Sequence, residues 1–595
     1  EGNQEHPFHL HQLYTFGENM IVLNRYLASG KRVPRSSHEF QGPMLNALEM
    51  ELTSGDQSLE FYVWGKNGVV GVPERINFND NDLLISYGSI YKELPFELKL
   101  FDFSIERYPG SLSPSSFESD VLLTDRQRKY QTRQLVYMNN ILKYKGYRFY
   151  QSSYDPDEKG TILSVNRDRL GTSISYLGYI LAGLGMLLSL VFKGNRFGKL
   201  SEELRKLRSI KKGMALIVLL FIHVVAIGQP TQRNPHLVPV SRDHAARFGR
   251  LPVQDNSGRI EPVNTLSNEI LRKINRNSVY KGMNSDQVML GMMASPDVWQ
   301  HEPIIRATHP QIQDILGSRK KYHAFSSFFR GDQYILQGYL EQAYRKKTAL
   351  RSKFDNEIIR LDERVNITYL VFSGEFMRQF PVSGDSTHTW YNHQGIRGKI
   401  KQQDSVFAEN IFYLYIQEVQ KSLNSGDWKA PDDMLRTIEQ YQHQYGSAFI
   451  PAPSRITLEI LMNKIDIFSR ISKYYGIIGL AMLLLQFTGL FYARLKLKVP
   501  VMLFIILIIL IFSAHTIGLG LRWYVSGHAP WSNGYEALTY VAWAAVLAGL
   551  IFASRSSITL SVTSILAFLI LFVAHLSWMD PQITNLVPVL KSYRL

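Results

Sequence analysis

The residues best equipped for chemistry lie in one stretch, 515–536 (HTIGLGLRWYVSGHAPWSNGYE), between two long apolar runs. Arg522, Trp523, Gly527, His528, Trp531, Asn533, Tyr535 and Glu536 fall within fifteen residues. A loop that merely joins two membrane helices needs no such density of donors, rings and imidazole. The stretch therefore reads as a ligand or partner site at a membrane surface. His515 and His575 lie in different apolar runs. His515 precedes Arg522 by seven residues, roughly 10 Å of helix rise, and His575 sits close to the end of its run. Both therefore fall near the depth of His528. Imidazole ligates metals and haem iron, so three histidines at one depth are candidates for a shared ion; separate packing in three elements is the plain alternative. Trp523, Trp531, Tyr535 and Trp578 meet the same interface, as an aromatic belt or as a platform for a flat ring.

The elements that must position these residues are apolar helices. Residues 174–192, 213–228, 475–492, 499–521, 535–553 and 559–578 are each apolar enough to be read as membrane spans. The connection 193–212 holds eight Lys/Arg and two Glu, which places it on the cytoplasmic side. The loop 494–498 (RLKLK) and, more weakly, Arg555 mark the same side. Residues 1–172, 229–473 and the loop 522–534 then fall outside. His223 lies mid-span in the second run, where an ionisable group is costly; a neutral ring bonded to a neighbouring helix explains it.

The 595 residues carry 66 Lys+Arg against 51 Asp+Glu, a net charge of +15. Beside these apolar runs, the excess reads as membrane topology and attraction to anionic lipid, and no nucleic-acid motif accompanies it. There is no cysteine, which excludes a disulfide, a CxxC redox pair, a thiolate metal site and any thiol chemistry by this chain itself. Phosphate loops, dinucleotide fingerprints, HExxH and serine nucleophile elbows are also missing. The first residue is Glu1, so the true N-terminus is expected upstream.

Between residues 59 and 168 the segments 59–64, 83–91, 96–108, 116–124 and 147–154 are rich in β-branched and aromatic residues and separated by turn signals. They predict an antiparallel sheet or sandwich leading into the first span. Residues 331–374, 406–423 and 455–474 carry helical spacing, the last running into the third span, with short strands around 250–260. The fold class that follows is a multi-span α-helical membrane protein with an extracytoplasmic β-rich domain and an extracytoplasmic α-helical domain. Its divisions are 1–172 (β-rich), 173–228 (two membrane helices with a basic loop), 229–473 (mainly helical), 474–578 (four membrane helices) and 579–595 (an extracytoplasmic end).

The loop pattern Arg522-Trp523-(x)3-Gly527-His528-(x)2-Trp531-Ser-Asn533-x-Tyr535-Glu536 resembles the CcsA/ResC proteins of System II cytochrome c maturation. Residues 586–593 (LVPVLKSY) resemble the same family. The stretches 102–110 (DFSIERYPG), 117–121 (FESDV), 149–155 (FYQSSYD) and 160–166 (GTILSVN) resemble its partner family, ResB, also called CcsB. Both halves on one chain resemble the natural fusions of the two. The resemblance implies a multi-pass protein of the bacterial inner membrane, with its large domains on the periplasmic side. It would move haem outward and present it to apocytochrome c, whose CxxCH thiols accept it. A thiol-disulfide reductase and the lipid bilayer are the other implied partners.

The family's tryptophan-rich motif (WGxxWxWD) and its flanking histidines lie beyond the stretch matched by 591–593, and Arg594 stands where the family usually has Trp. The resemblance is therefore to a holocytochrome c synthase of haem-lyase type cut at both ends, with the haem ligands outside this chain. No catalytic or metal residue is assigned, and whether the chain is itself an enzyme stays open. The loop residues named above are expected to border the haem-presenting surface. A membrane-anchored scaffold that docks apocytochrome c or a thiol reductase without catalysis is the alternative; a transporter is a third, with only His223 in its favour.

Overall fold

The computed structural model describes residues 9–10, 13–16, 19–26, 45–79, 81–191, 237–331, 333–346, 348–400, 402–492, 497–554, 556–576, 579 and 581–586. The expected span 213–228 with His223, the loop 193–212, most of the loop 494–498, Arg555, Trp578 and residues 587–594 lie outside them. Two compact units emerge: Glu1–Leu98 with Leu123–Thr132, and Lys99–Leu122 with Arg133–Leu595.

In the first unit β1 (Asn46–Ser54) and β2 (Gln57–Gly65) form an antiparallel hairpin in continuous register from Asn46–Gly65 to Ser54–Gln57. The expected strand over 83–91 is shorter: it ends at Ile85. The chain then turns through Gly88, and Ser89 donates to the Val69 carbonyl instead (2.8 Å).

Strands β3 (Glu97–Arg107), β4 (Pro114–Asp125) and β5 (Tyr130–Tyr137) make a three-stranded sheet in that order. β4 alternates without a break between buried and half-buried positions, as a strand with one face on a core must. Its buried Ser119 is satisfied by Gln151 Oε1 (2.6 Å) and Thr161 Oγ1 (2.8 Å). Those partners lie on β7 (Tyr147–Tyr154) and β8 (Thr161–Asn166), which with β6 (Leu142–Tyr144) form a second antiparallel sheet. Arg167 and Asp168 separate β8 from helix α1 (Arg169–Val191), whose first turn is capped by Asp168 Oδ1 accepting from Gly171 N (2.7 Å).

Residues 237–450 bury one large apolar core. It is built around α2 (Val263–Asn275), α3 (Ser285–Ala294), α4 (Lys353–Phe372), α5 (Gln402–Ser425) and α6 (Lys429–Gly446). The expected strands near 250–260 are Pro252–Gln254 and Ile260–Pro262, paired as a hairpin. Helical spacing over 331–374 resolves into two helices, Gln337–Arg345 and α4. The break falls where Ser352 and Asp355 form a reciprocal capping box, which starts a helix more favourably than it continues one. Similarly, 455–491 is two helices. α7 (Pro453–Ile465) ends at Asp466 in the left-handed region (φ 45°), and α8 (Ile467–Phe491) starts there.

Among the described residues, four helices are long and apolar enough to cross a membrane: Pro453–Gly489, which joins α7 to most of α8, α9 (Lys498–Ser526), α10 (Gly534–Phe552) and α11 (Ser557–Ala574). Small residues let α8 and α11 approach closely, as bundle packing in lipid requires. A Cβ on Gly479 would lie 2.9 Å from the Ser564 Cβ, and Gln486 Oε1 accepts from Ser561 Oγ (3.0 Å) across the same contact.

One buried carboxyl gives the helical core a pH dependence. Asp286 is 4 % exposed at the start of α3. Burial pushes its carboxyl up to about 6 from the ordinary 3.8, against the downward pull of hydrogen bonds from Asn264 and Ser267. A raised value means the folded state prefers the protonated form. Its stabilisation is complete below 3.8 and is lost as pH rises through about 6. Asp286→Asn should flatten this part of the profile and raise stability at pH 8 by on the order of 1–3 kcal/mol. Thermal melts from pH 4 to pH 8 that are parallel for the two proteins would contradict it.

Candidate functional site

Helix α9 runs further than the apolar run suggests. Arg522, Trp523, Tyr524 and Val525 form its last turn, and the expected loop 522–534 shrinks to 527–533. Gly527 closes the helix with φ +76°, a conformation glycine adopts without the Cβ penalty. Asn533 opens α10 by accepting from the Glu536 backbone N–H (3.0 Å).

Four of the expected residues converge on the segment that follows α11. Arg522 Nε donates to Glu536 Oε1 (2.6 Å), and the two side chains are 6 % and 0 % exposed. The second carboxylate oxygen accepts from the Ser532 backbone N–H and hydroxyl, each at 2.7 Å. Arg522 Nη2 and Asn533 Nδ2 both donate to the Gln582 carbonyl (2.8 and 3.0 Å). Both His528 nitrogens face backbone carbonyls, Nδ1 that of Ala529 (2.9 Å) and Nε2 that of Thr584 (3.1 Å). Residues 581–586 thus form an extended strap fastened to the loop. The same strap reaches the helical region: Gln582 Nε2 donates to Glu269, Asn585 Nδ2 to the Ser257 carbonyl (2.9 Å), and Tyr108 Oη to the Leu586 carbonyl (2.6 Å).

The remaining expected residues separate into two groups. Trp523 and Trp531 are 57 % and 54 % exposed. Tyr535 is buried, edge-on to Phe468 and His575, with the Arg522 guanidinium 5.4 Å from its ring centre. His515 is fully buried against Phe468 and Tyr475. The three histidines do not converge: Phe468 and Tyr535 stand between His515 and His575, and no cluster of three metal-ligating side chains occurs among the described residues.

Sequence reading missed a large cavity beside this assembly. It measures about 750 Å3 and is walled by α2, α4, the Asp466 break, Tyr535 and the end of α11 with His575. Six cations, Arg272, Lys273, Arg276, Arg306, Arg360 and Arg364, line it against three carboxylates. Arg364 is 8 % exposed. Burial, and then the neighbouring Arg276, push its guanidinium down to about 10. Burial and Arg306 likewise lower Arg276. Part of the signal was present in sequence: Arg360 and Arg364 are four residues apart on α4 and share a helix face, whereas Arg276 is the left-handed residue (φ 70°) that ends α2 after Arg272.

An adjoining network ties α7 to the helical region. Arg259 donates to Glu261 Oε2 (2.7 Å) and Glu459 Oε2 (2.6 Å), and Thr265 Oγ1 donates to Glu459 Oε1 (2.8 Å). Burial alone pulls Arg259 down, but the two carboxylates outweigh it and hold the guanidinium above its ordinary range.

Residues 58–174 match the ResB-like family. They cover the strands from β2 to β8 and the start of α1. Over 542 residues the chain is 36 % identical to protein NrfI of Wolinella succinogenes, an alignment that takes in 88 % of this chain and 58 % of that protein. The chain thus spans somewhat over half the length of this curated relative, and the match extends well past the β-rich region into the helical and membrane parts.

Replacing Asn533 by Ala removes a helix cap and two donor contacts to the strap. It should cost about 1–2 kcal/mol and speed proteolytic cutting within 581–586. Unchanged melting and cutting would show that the strap is held elsewhere.

Proposed function

We propose that this chain acts in the maturation of c-type cytochromes, as a fused ResB and CcsA/ResC protein of a bacterial inner membrane. In this reading its β-rich and helical regions face the periplasm, and residues 522–534 lie at the outer membrane surface. The observation that carries it is the fixed assembly of Arg522, Glu536, Asn533 and His528 on the strap. It lies at the ends of apolar helices in a chain whose residues 58–174 match the ResB-like family.

The assembly supplies a rigid edge at the membrane surface with two exposed indoles. Trp523 and Trp531 offer an apolar docking face for an apocytochrome c segment bearing CxxCH, and a fixed face converts encounter into proximity. The reacting thiols belong to that partner, consistent with a chain that has no cysteine. A thiol-disulfide reductase is the proposed source of reduced partner.

Haem is the group such a protein handles, yet His515, His528 and His575 do not fit a shared iron. His528 has both nitrogens facing backbone carbonyls, and His515 is enclosed by aromatic rings. No step is assigned to an iron held between them. A docking scaffold without catalysis is the second reading, favoured by the same two exposed indoles.

A photo-crosslinking residue at position 531 in the full protein, in native membranes, tests the proposal. It should capture apocytochrome c with an intact CxxCH motif. Trp523→Ala with Trp531→Ala should lower haem-stained cytochrome about tenfold (about 1.4 kcal/mol). Capture that persists while loss of the whole protein leaves haem staining unchanged selects the scaffold. No capture together with normal staining in the double variant rejects both.

A further inference from the structure

We infer that the basic cavity between the helical region and the ends of the apolar helices binds an anionic amphiphile, its oxyanions against the arginines and its apolar body against the helix ends. The cavity's 750 Å3 lies within the roughly 300–1,000 Å3 of pockets that hold cofactor-sized ligands. Its wall is divided by chemistry. One side carries the cations of α2 and α4 together with Arg306; the other carries Tyr535, Ala574, Leu576 and Met579.

The six cations face three carboxylates, Glu269, Glu363 and Asp466, so the lining keeps an excess of three positive charges. Among the described residues, Arg272, Lys273, Arg276, Arg306 and Arg364 form no ion pair, and Arg360 is paired only with Glu357 (3.0 Å). Arg306 Nε is buried without a hydrogen-bond partner. Arg364 spends one donor on the Arg306 carbonyl (2.8 Å). Cations held this close in a partly desolvated cavity repel one another; burial first, and then this repulsion, lowers Arg364 and Arg276. An oxyanion relieves it, and planar guanidinium groups suit carboxylate or phosphate with two parallel hydrogen bonds.

The apolar half specifies the rest of the ligand. A free inorganic anion has no use for Tyr535, Leu576 and Met579, whereas an amphiphile can lay its body there. Two sources share this chemistry: a porphyrin with its two propionates, which rests on the function proposed above, and an acidic phospholipid, which does not.

Binding by the purified full chain separates them. The probes are metal-free protoporphyrin IX, its dimethyl ester, and nanodiscs of phosphatidylglycerol or phosphatidylcholine. Removing iron takes histidine ligation out of the comparison. Wild type should bind the diacid, or phosphatidylglycerol, at least tenfold more tightly than the neutral counterpart. Arg272→Gln with Arg276→Gln should abolish that preference. Arg319→Gln with Arg330→Gln, which removes the same charge from exposed positions outside the cavity, should retain it.

A preference for the porphyrin diacid that depends on Arg272 and Arg276 supports the site and the haem reading together. Dependence seen only with phosphatidylglycerol supports the site and counts against haem as its occupant. No preference for either anionic probe, or a preference unchanged in the Arg272/Arg276 variant, overturns the inference. The proposed docking of apocytochrome c would then stand or fall on the crosslinking alone.

Discussion

The buried pair between Arg522 and Glu536 is the interaction on which the rest of the site depends. Taking both charges out of water is costly, and mutual attraction offsets the cost only when the remaining donors and acceptors are also satisfied. Here they are bonded: Ser532 supplies two donors to the second Glu536 oxygen, and the Gln582 carbonyl takes the far end of the guanidinium. Satisfying the pair therefore fixes three things at once. It sets the spacing of the α9 and α10 ends, the path of the short loop between them, and the position of the strap after α11.

From that point order is passed outward. The strap is held by the Thr584 carbonyl under His528, by Gln582 at Glu269 on α2, by Asn585 at the Ser257 carbonyl and by Tyr108 at Leu586. Tyr108 lies between β3 and β4, so a β-hairpin tip, the helical core and the apolar helices meet on six residues of extended chain. The basic cavity borders the same strap at Pro581. Its cations come from α2 and the residue that ends it, from α4, and from Arg306 on a short strand.

Much of this was legible in sequence, for identifiable reasons. Apolar runs longer than a globular core requires gave the helices of the 475–578 region. Strand β4 was legible from its β-branched and aromatic content, its partial alternation and the turn signals that flank it, while its strict alternation of burial, with Ser115, Ser119 and Asp125 on the buried face, emerges only in the fold. The density of polar and aromatic residues around 522–536 marked the site, and Arg522, Asn533 and Glu536 meet there. What sequence could not supply was rotation and long-range pairing. His515 packs on Phe468 and Tyr475, whereas His575 packs on Tyr535. The break at Asp466 depends on a left-handed residue that no periodicity announces. The partners of Arg522 and His528 are backbone carbonyls some sixty residues away, and a carbonyl has no sequence signature. The cavity arginines come from the end of α2, a short strand at Arg306 and α4, spread over about ninety residues of sequence, so their convergence is a property of the tertiary fold.

The polar residues Arg522, Asn533 and Glu536 hold structure, while the indoles of Trp523 and Trp531 stay exposed. The central claim is that Arg522 and Glu536 act as one unit. A double-mutant cycle in the full chain tests this directly, with Arg522→Met, Glu536→Gln and the double variant compared by thermal or denaturant unfolding. Each single change leaves a buried charge uncompensated and should cost roughly 3–5 kcal/mol. The double variant should cost clearly less than the sum, with a coupling of at least about 1 kcal/mol. Strict additivity of the two losses would contradict the account.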